Sequence, residues 1–142
     1  MRGYWGKAKE TEEVIRDGWY YTGDMGFYDD AWYVYITDRK KDMIITGGLN
    51  VYSIEVENAI YQSPEVLEVA VIGVPDEKWI EKVKALVVLK PNHFLTEEVL
   101  LTRCRQLIAG YKVPKSIVFV DSLPKSAAGK ILKRDLRQQY KE

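Results

Sequence analysis

The chain has 142 residues, of which 46% are hydrophobic and 30% are charged. A chain of this length buries about 68–70% of its unfolded surface, so it needs neither disulfide bonds nor a structural metal. This composition excludes a disordered or fibrous protein. Because 21 basic residues balance 21 acidic ones, no global charge directs the chain to nucleic acid or to an anionic membrane.

The chain contains one cysteine, Cys104, and one histidine, His93. They cannot form an internal disulfide or a zinc site of Cys and His ligands. A Cys104–His93 catalytic pair is conceivable, but a buried, unreactive thiol is the better interpretation. No apolar run approaches the roughly 18 residues of a membrane span, and the start is not typical of a signal peptide. We therefore expect a cytoplasmic protein without a metal site.

The first 40 residues are rich in aromatic side chains and predict short strands and turns. A helix is predicted from Glu10 to Arg16, and Gly18 is expected to end it. Strands are predicted at residues 19–21, 26–28 and 32–37. The aromatic density drops after the charged pentad Asp38–Asp42, where we place a boundary between one domain at 1–40 and another at 41–142.

Beyond this boundary the pattern is typical of a compact α+β domain. Ser53 is the predicted cap of a helix that runs to about Gln62, and Thr96 opens a second predicted helix that runs to Ala109. An apolar strand is predicted at 43–46, and a short terminal helix at 131–140. The sheet of this domain is expected to have three strands, at residues 66–74, 83–89 and 117–120, with helices flanking it.

Two short segments carry groups suited to nucleotide or ligand binding, and each has a structural alternative. Asp24 follows Gly23 between two predicted strands. Its carboxylate could accept two hydrogen bonds from a ribose diol, or it could close a local turn. Gly47 and Gly48 follow a strand and precede a helix, where they could admit a ligand close to the backbone or make a tight turn.

A third segment is a loop of small residues that ends in Gly129 and Lys130. An ammonium on such a loop can neutralise negative charge that develops on a carboxylate or phosphate. The loop is not a P-loop, because the Walker spacing is absent and no Ser or Thr follows Lys130. Residues 111–142 contain eight basic and three acidic residues, which favours an anionic ligand such as phosphate. For the stretch Lys133–Lys141, however, we expect a solvated helix face.

Seven motifs follow one another with consistent spacing, and their combination is far more specific than any one of them. They are Gly3–Trp5, Asp17–Asp24, Asp38–Ile44, Gly47–Tyr52, Gly73–Glu77, Tyr111–Lys115 and Pro124–Lys130. Together they resemble the C-terminal part of adenylate-forming (AMP-binding) enzymes, specifically acyl-CoA synthetases of the fatty-acid type. The resemblance covers essentially the whole chain.

In this family an acid and ATP form an acyl-adenylate, and coenzyme A then displaces AMP to give a thioester. The resemblance implies that Asp24 holds the ribose hydroxyls of ATP and that Arg39 also contacts the nucleotide. Lys130 matches the lysine that bridges the attacking carboxylate and the α-phosphate. It is the residue expected to be catalytic.

The second half-reaction requires the C-terminal domain to swing relative to the rest of the enzyme. By the same resemblance, Lys41 matches the hinge position. Gly47, Gly48 and Leu49 match a segment that approaches the pantetheine arm of coenzyme A after the swing.

Three positions depart from the family's common pattern. Ser53 stands where proline is frequent and, as a helix cap, should be harmless. Trp32 stands where a hairpin glycine is usual, so an altered turn is expected. Ile80 stands where glycine commonly precedes Glu81, which puts the local loop shape in doubt.

The family's phosphate loop, adenine pocket and acyl tunnel have no counterpart in the chain. We therefore expect a C-terminal fragment whose partner is its own N-terminal domain, which would also bind most of the Mg²⁺. The fragment alone is expected to be inactive, and the full enzyme to join a fatty acid to coenzyme A at the expense of ATP. Two alternatives are an adenylating enzyme with a carrier-protein acceptor and a non-catalytic module that binds a nucleotide or a partner.

Overall fold

The structure, a computed structural model, describes residues 1–141, so Glu142 of the expected second domain lies outside the described residues. The chain divides into two compact units. The first comprises Met1–Lys41 and the second begins at Asp42. This division falls within the charged pentad, where a single 3-10 turn spans Lys40–Asp42. Each unit is described by itself below.

The first unit contains one short helix and two small hairpins. Its elements are α1 (Ala8–Val14), β1 (Ile15–Arg16), β2 (Trp19–Tyr20), β3 (Asp24–Tyr28) and β4 (Val34–Arg39). The prediction that Gly18 ends the helix is wrong. Instead, Asp17 and Gly18, with φ of 50° and 79°, connect β1 to β2. Asp-Gly favours a two-residue hairpin turn with both residues left-handed, which explains the difference.

The β3–β4 hairpin retains its turn although Trp32 replaces the usual glycine. Trp32 adopts a left-handed φ of 65°, and its N–H donates to the carbonyl of Asp29 at 2.9 Å. The Asp29 side chain completes the turn, since Oδ1 accepts the N–H groups of Ala31 and Tyr33. These hydrogen bonds, together with the hydroxyl of Tyr35, lower the pKa of Asp29.

The second unit is an α+β domain, which confirms the predicted fold class. Its helices are α2 (Ser53–Tyr61), α3 (Glu97–Leu107) and α4 (Lys133–Gln139). Its strands are β5 (Ile44–Thr46), β6 (Leu49–Val51), β7 (Val66–Asp76), β8 (Ile80–Leu89) and β9 (Ser116–Phe119).

The sheet has five strands rather than the three that were expected. Strand β8 pairs with β7 in antiparallel register and with β9 in parallel register. Strand β5 joins the start of β8 through the Thr46–Ile80 pairing and forms a hairpin with β6. Each of β5 and β6 has only three residues, which is too short for an alternating pattern to identify them as members of this sheet.

Apolar side chains form two buried clusters in the second unit. The larger cluster contains Val56 and Ile60 of α2, Leu100 and Cys104 of α3, and alternate residues of the central strands such as Val71. The smaller cluster packs Leu136 of α4 and Leu123 against the intervening residues, including Ala70, Ile72 and Leu86. Because successive residues of a strand face opposite sides, the sheet buries both faces.

Helix side chains cover the backbone at the edges of this sheet. Glu57 of α2 accepts the N–H of Val71 at 2.8 Å, and Glu97 of α3 accepts the N–H of Ile117 at 2.7 Å. Such covering blocks pairing with further strands. Among residues 1–141, no helix is both long and apolar enough to cross a bilayer.

Candidate functional site

Asp24 and Arg39 face each other across the β3–β4 hairpin of the first unit. They are register partners, and Arg39 Nε lies 3.2 Å from Asp24 Oδ1. The Asp24 side chain is 31% exposed and that of Arg39 is 54% exposed. Both groups therefore remain accessible to a ligand, and the hairpin brings together the two residues predicted to contact the nucleotide.

An open cleft of about 540 Å³ lies beside Asp24. Its walls include Tyr20, Tyr21 and Gly23, together with the charged side chains of Arg16 and Lys40. The Asp24 N–H donates to Thr22 Oγ1 at 3.0 Å, which orders the start of β3. The cleft thus combines aromatic surface with two carboxylates, of Glu13 and Asp24, and two cations, and its aromatic and polar groups suit a nucleotide.

Lys130 lies on a short loop whose two ends are joined. Lys125 and Ile131 form an antiparallel bridge, and the Ser126 N–H donates to the carbonyl of Lys130 at 2.8 Å. Ser126 Oγ accepts the N–H of Lys130 at 3.2 Å. Gly129, with φ of 76°, supplies the left-handed residue that the turn requires. The backbone of Lys130 is therefore held by its own loop.

The side chain of Lys130, in contrast, has no such restraint. The residue is exposed, and none of the ion pairs or side-chain hydrogen bonds found among residues 1–141 involves its ammonium. A partly fixed backbone with a free ammonium can deliver a positive charge to an anion outside the domain.

Gly47 and Gly48 form the two-residue turn between β5 and β6, with φ of 56° and 80°. This left-handed pair is the geometry that glycine permits. The Gly47 N–H donates to the carbonyl of Trp79 at 2.8 Å, and a Cβ at Gly47 would lie 2.8 Å from the Trp79 ring. The structure thus shows the tight turn, with Trp79 packed closely against it, and the close approach of a ligand to these glycines stays a prediction.

A recess of about 100 Å³ adjoins this turn, and sequence reasoning missed most of its lining residues. Leu49 lines it together with Trp79, Tyr111 and Lys115. Tyr111 and Lys115 belong to one of the seven motifs, but Trp79 carried no sequence signal beyond an aromatic residue in a polar turn. Neighbouring Lys112 pairs with Glu55 at 2.6 Å, and this hydrogen-bonded partner raises the pKa of Lys112.

The predicted site residues thus fall into separate groups. Asp24 and Arg39 share a hairpin in the first unit. Lys41 is the last residue of that unit. In the second unit, Gly47–Leu49 and Lys130 lie on two different loops.

The predicted cap at Ser53 is wrong. Tyr52 occupies the N-cap position of α2, and Ser53 is the first helical residue. Ser53 is fully buried, and its hydroxyl accepts a hydrogen bond from Lys133 Nζ at 2.7 Å. Position 53 is therefore the first residue of the helix, where proline is well tolerated. This position explains why proline is frequent there in the family.

The prediction of a solvated face at Lys133–Lys141 is wrong for Lys133 and Arg137. Both side chains turn inward and form ion pairs with Glu57 and Asp42. Their partners are distant in the sequence, so the local charge pattern could not reveal them.

The structure does not pair Cys104 with His93. Cys104 is buried in the larger core cluster, and burial raises the pKa of its thiol. His93 is exposed on the loop before α3, where Nδ1 lies 2.9 Å from the carbonyl of Pro91. These surroundings favour an unreactive thiol.

A sequence profile of the AMP-binding enzyme C-terminal domain matches residues 55–130, which is more than half of the chain. The chain therefore belongs to the AMP-binding enzyme C-terminal domain family. This family assignment confirms the resemblance that the seven motifs indicated.

Among known proteins, the chain is 49% identical over 140 residues to a feruloyl-CoA synthase of Amycolatopsis sp, covering 99% of this chain and 28% of the relative. It is 50% identical over 142 residues to a long-chain-fatty-acid–CoA ligase of Bacillus subtilis strain 168, covering all of this chain and 25% of that protein. The chain thus spans about a quarter of the length of these relatives.

Solved structures show the same similarity. The crystal structure of ATP-bound MatB from Rhodopseudomonas palustris matches 99% of this chain and 28% of its own, with a TM-score of 0.90 and 41% sequence identity.

Proposed function

We propose that the chain is the C-terminal part of an acyl-CoA synthetase that joins a fatty acid to coenzyme A with ATP. The observation that carries the proposal is Lys130, an exposed ammonium without a partner among the described side chains, on a loop closed by backbone hydrogen bonds.

In the first half-reaction a carboxylate oxygen attacks the α-phosphorus of ATP. A new phosphorus–oxygen bond forms, and the bond to pyrophosphate breaks. Two anions must approach each other, so a positive charge between them lowers the barrier. Removing one such preorganised group typically costs about 2.7–4 kcal/mol, or about 10²–10³ in rate. Lys130 is the residue to which we assign this role.

Asp24 and Arg39 would hold the nucleotide in place. The carboxylate of Asp24 can accept hydrogen bonds from both ribose hydroxyls, and the Arg39 guanidinium beside it can contact the nucleotide. Their hairpin geometry and the adjoining cleft support this assignment.

In the second half-reaction the thiol of coenzyme A attacks the acyl carbon, and AMP leaves. The thiol needs the space that Lys130 occupied, so the domain must move between the two steps. We assign the hinge to Lys41, which lies in the 3-10 turn at the division between the two units. The recess lined by Leu49, Trp79 and Tyr111 would receive part of the thiol substrate next to the Gly47–Gly48 turn.

Magnesium accompanies ATP in such reactions. Within the described range, no group of three or more His, Cys, Asp or Glu side chains could hold a metal ion. We assign no ligand to Mg²⁺ here, and we expect polypeptide outside this chain to bind the metal–nucleotide complex.

The exposed surface of the first unit is evidence that another domain packs against it. No residue of Met1–Lys41 is fully buried, and its aromatic side chains are largely exposed. The five most exposed of them are Trp5, Trp19, Tyr28, Trp32 and Tyr33. Exposed apolar area on this scale is typical of an interface. We propose that the N-terminal domain of the same enzyme covers it.

The proposal is tested by fusing this chain to the upstream three quarters of the Bacillus subtilis long-chain-fatty-acid–CoA ligase. We expect fatty-acid-dependent exchange of pyrophosphate into ATP, followed by thioester formation when coenzyme A is added. The chain alone and the upstream segment alone are the controls, and both should be inactive in thioester formation. A fusion that folds and binds ATP but forms neither acyl-adenylate nor thioester would contradict the proposal.

A further inference from the structure

The terminal helix α4 is fastened to the second unit by two inward-facing cations one turn apart. Lys133 Nζ lies 2.7 Å from Glu57 Oε1 and donates to Ser53 Oγ at 2.7 Å. Arg137 Nη2 donates to Asp42 Oδ1 at 2.7 Å. Residues four apart lie on one face of a helix, so both contacts hold the same face of α4.

These pairs differ from ordinary surface ion pairs. The side chain of Asp42 is 13% exposed and that of Arg137 is 29% exposed. By contrast, Arg134 on the same helix is 84% exposed and pairs with its sequence neighbour Asp135. Partly buried pairs are weakly screened, and loss of one partner leaves an uncompensated charge. The Asp42–Arg137 pair is therefore a strong constraint on α4.

The same helix forms one support of the loop that carries Lys130. The loop leads through Ile131 into α4, and the Leu132 N–H donates to the carbonyl of Pro124 at 2.8 Å. At the other end of the loop, Lys125 forms an ion pair with Glu68 of β7. A shift of α4 would therefore move the backbone of Lys130.

Asp42 is the first residue after the division between the two units. The pair thus joins the residue next to Lys41 directly to the helix that follows Lys130, over 95 positions of the sequence. We propose that Asp42 and Arg137 are positioning residues, which fix the Lys130 loop to the start of the second unit so that rotation at Lys41 sets the position of the ammonium. This inference rests on the roles assigned to Lys41 and Lys130 in the proposed function.

The mechanical part of the proposal is tested on this chain by amide hydrogen exchange. In Arg137→Gln, the amides of Ser126 and Leu132 should exchange at least about fivefold faster, while those of Val69 and Ile117 in the sheet keep their rates. Arg137→Lys should restore most of the protection, and Arg134→Gln is the matched control on the same helix. Unchanged loop amides, or an equal acceleration throughout the unit, would overturn the proposal.

The catalytic part is tested in the fusion described above. In Arg137→Gln and Asp42→Asn, adenylation should slow by at least about tenfold with the KM for ATP unchanged, because a small misplacement of a reacting group has a large effect. The double variant should be no slower than either single variant. Thioester formation from supplied acyl-adenylate should retain most of its rate.

The outcomes separate this inference from the proposed function. Equal losses in both half-reactions, or additive effects in the double variant, would show a merely structural role and overturn the inference. If the unsubstituted fusion forms no acyl-adenylate, the proposed function fails. The amide exchange rates would still decide whether the pair fixes the loop.

Discussion

At the scale of single residues, Trp32 and Ile80 both occupy left-handed backbone conformations that favour glycine. Ile80 has φ of 72° at the end of the β7–β8 turn, which explains why glycine is usual at this position of the family. The turn is nevertheless intact, because Asp76 Oδ1 accepts the N–H groups of Lys78 and Trp79 at 3.0 Å. The structure therefore accommodates Ile80 with backbone strain.

We predict that Ile80→Gly stabilises the protein. The Ile80 side chain is largely exposed, so its removal loses little apolar burial, while the left-handed conformation of a β-branched residue costs about 1–2 kcal/mol. The greater flexibility of unfolded glycine offsets roughly 0.5–1 kcal/mol of this gain. Urea denaturation should show a higher midpoint for Ile80→Gly. A lower midpoint would contradict the claim that the backbone at Ile80 is strained.

The pair between Glu65 and Arg103 makes stability depend on pH. Arg103 Nη1 and Nη2 donate to the two carboxylate oxygens of Glu65 at 2.7 and 3.1 Å. These hydrogen bonds lower the pKa of Glu65. The contribution to stability is therefore complete above the ordinary carboxyl pKa of about 4.3, and it is lost as the pH falls through the lower pKa of the folded state.

Glu65→Gln should accordingly lower the urea midpoint at pH 7, and the difference from the unsubstituted chain should narrow as the pH falls from about 5 toward 2. Glu77→Gln, at an exposed turn residue, is the matched control and should change little at any pH. A difference that stays constant over this range would show that the charge on Glu65 does not matter.

At the scale of secondary-structure elements, the β5–β6 turn makes the strictest demand on residue type. Gly47→Ala should destabilise the second unit by at least about 1 kcal/mol, because its backbone is left-handed and the new Cβ would collide with Trp79. A loss of this size lowers Tm by about 4–8 °C in a unit of about 100 residues. Gly110→Ala, where no atom lies within 4 Å of a new Cβ, is the control and should be nearly neutral. Equal Tm values for the two variants would contradict this account of the turn.

Most of the longer elements could be predicted from the sequence, since each is bounded by a local signal. Thr96 opens helix α3 as predicted, and the structure shows Thr96 as its N-cap, with Oγ1 accepting the N–H of Val99. Ser63-Pro64 follows the end of α2. The membership of β5 in the main sheet could not be predicted, because it depends on one pairing between Thr46 and Ile80. The inward ion pairs of α4 were missed for the same reason, since their partners lie 76 or more positions away.

The sequence predicted which residues belong to the candidate site better than it predicted how they lie relative to one another. The motifs identified Asp24 and Arg39 separately, but their pairing depends on a register shift between Met25 and Gly26. A slip of one residue would turn side chains to the opposite face of the hairpin. Trp79 was missed because its relation to Gly47 arises from pairing between separate strands.

At the scale of the whole molecule, the chain consists of a unit with exposed aromatic surface and a unit with its own buried core. Residues proposed for nucleotide binding belong to the first, and residues proposed for catalysis and thiol binding belong to the second. The proposed hinge lies at the division between them. This organisation suits an enzyme in which one domain presents different groups to the same nucleotide in two successive steps.

The most direct test of this account is to measure both half-reactions separately in the fusion carrying Lys130→Ala, with the exposed Lys141→Ala as control. Acyl-adenylate formation should fall by about 10²–10³, because the charge that brings carboxylate and phosphate together is gone. Thioester formation from supplied acyl-adenylate should proceed at nearly the unsubstituted rate. Equal losses in the two half-reactions, or normal adenylation, would contradict the central role of Lys130.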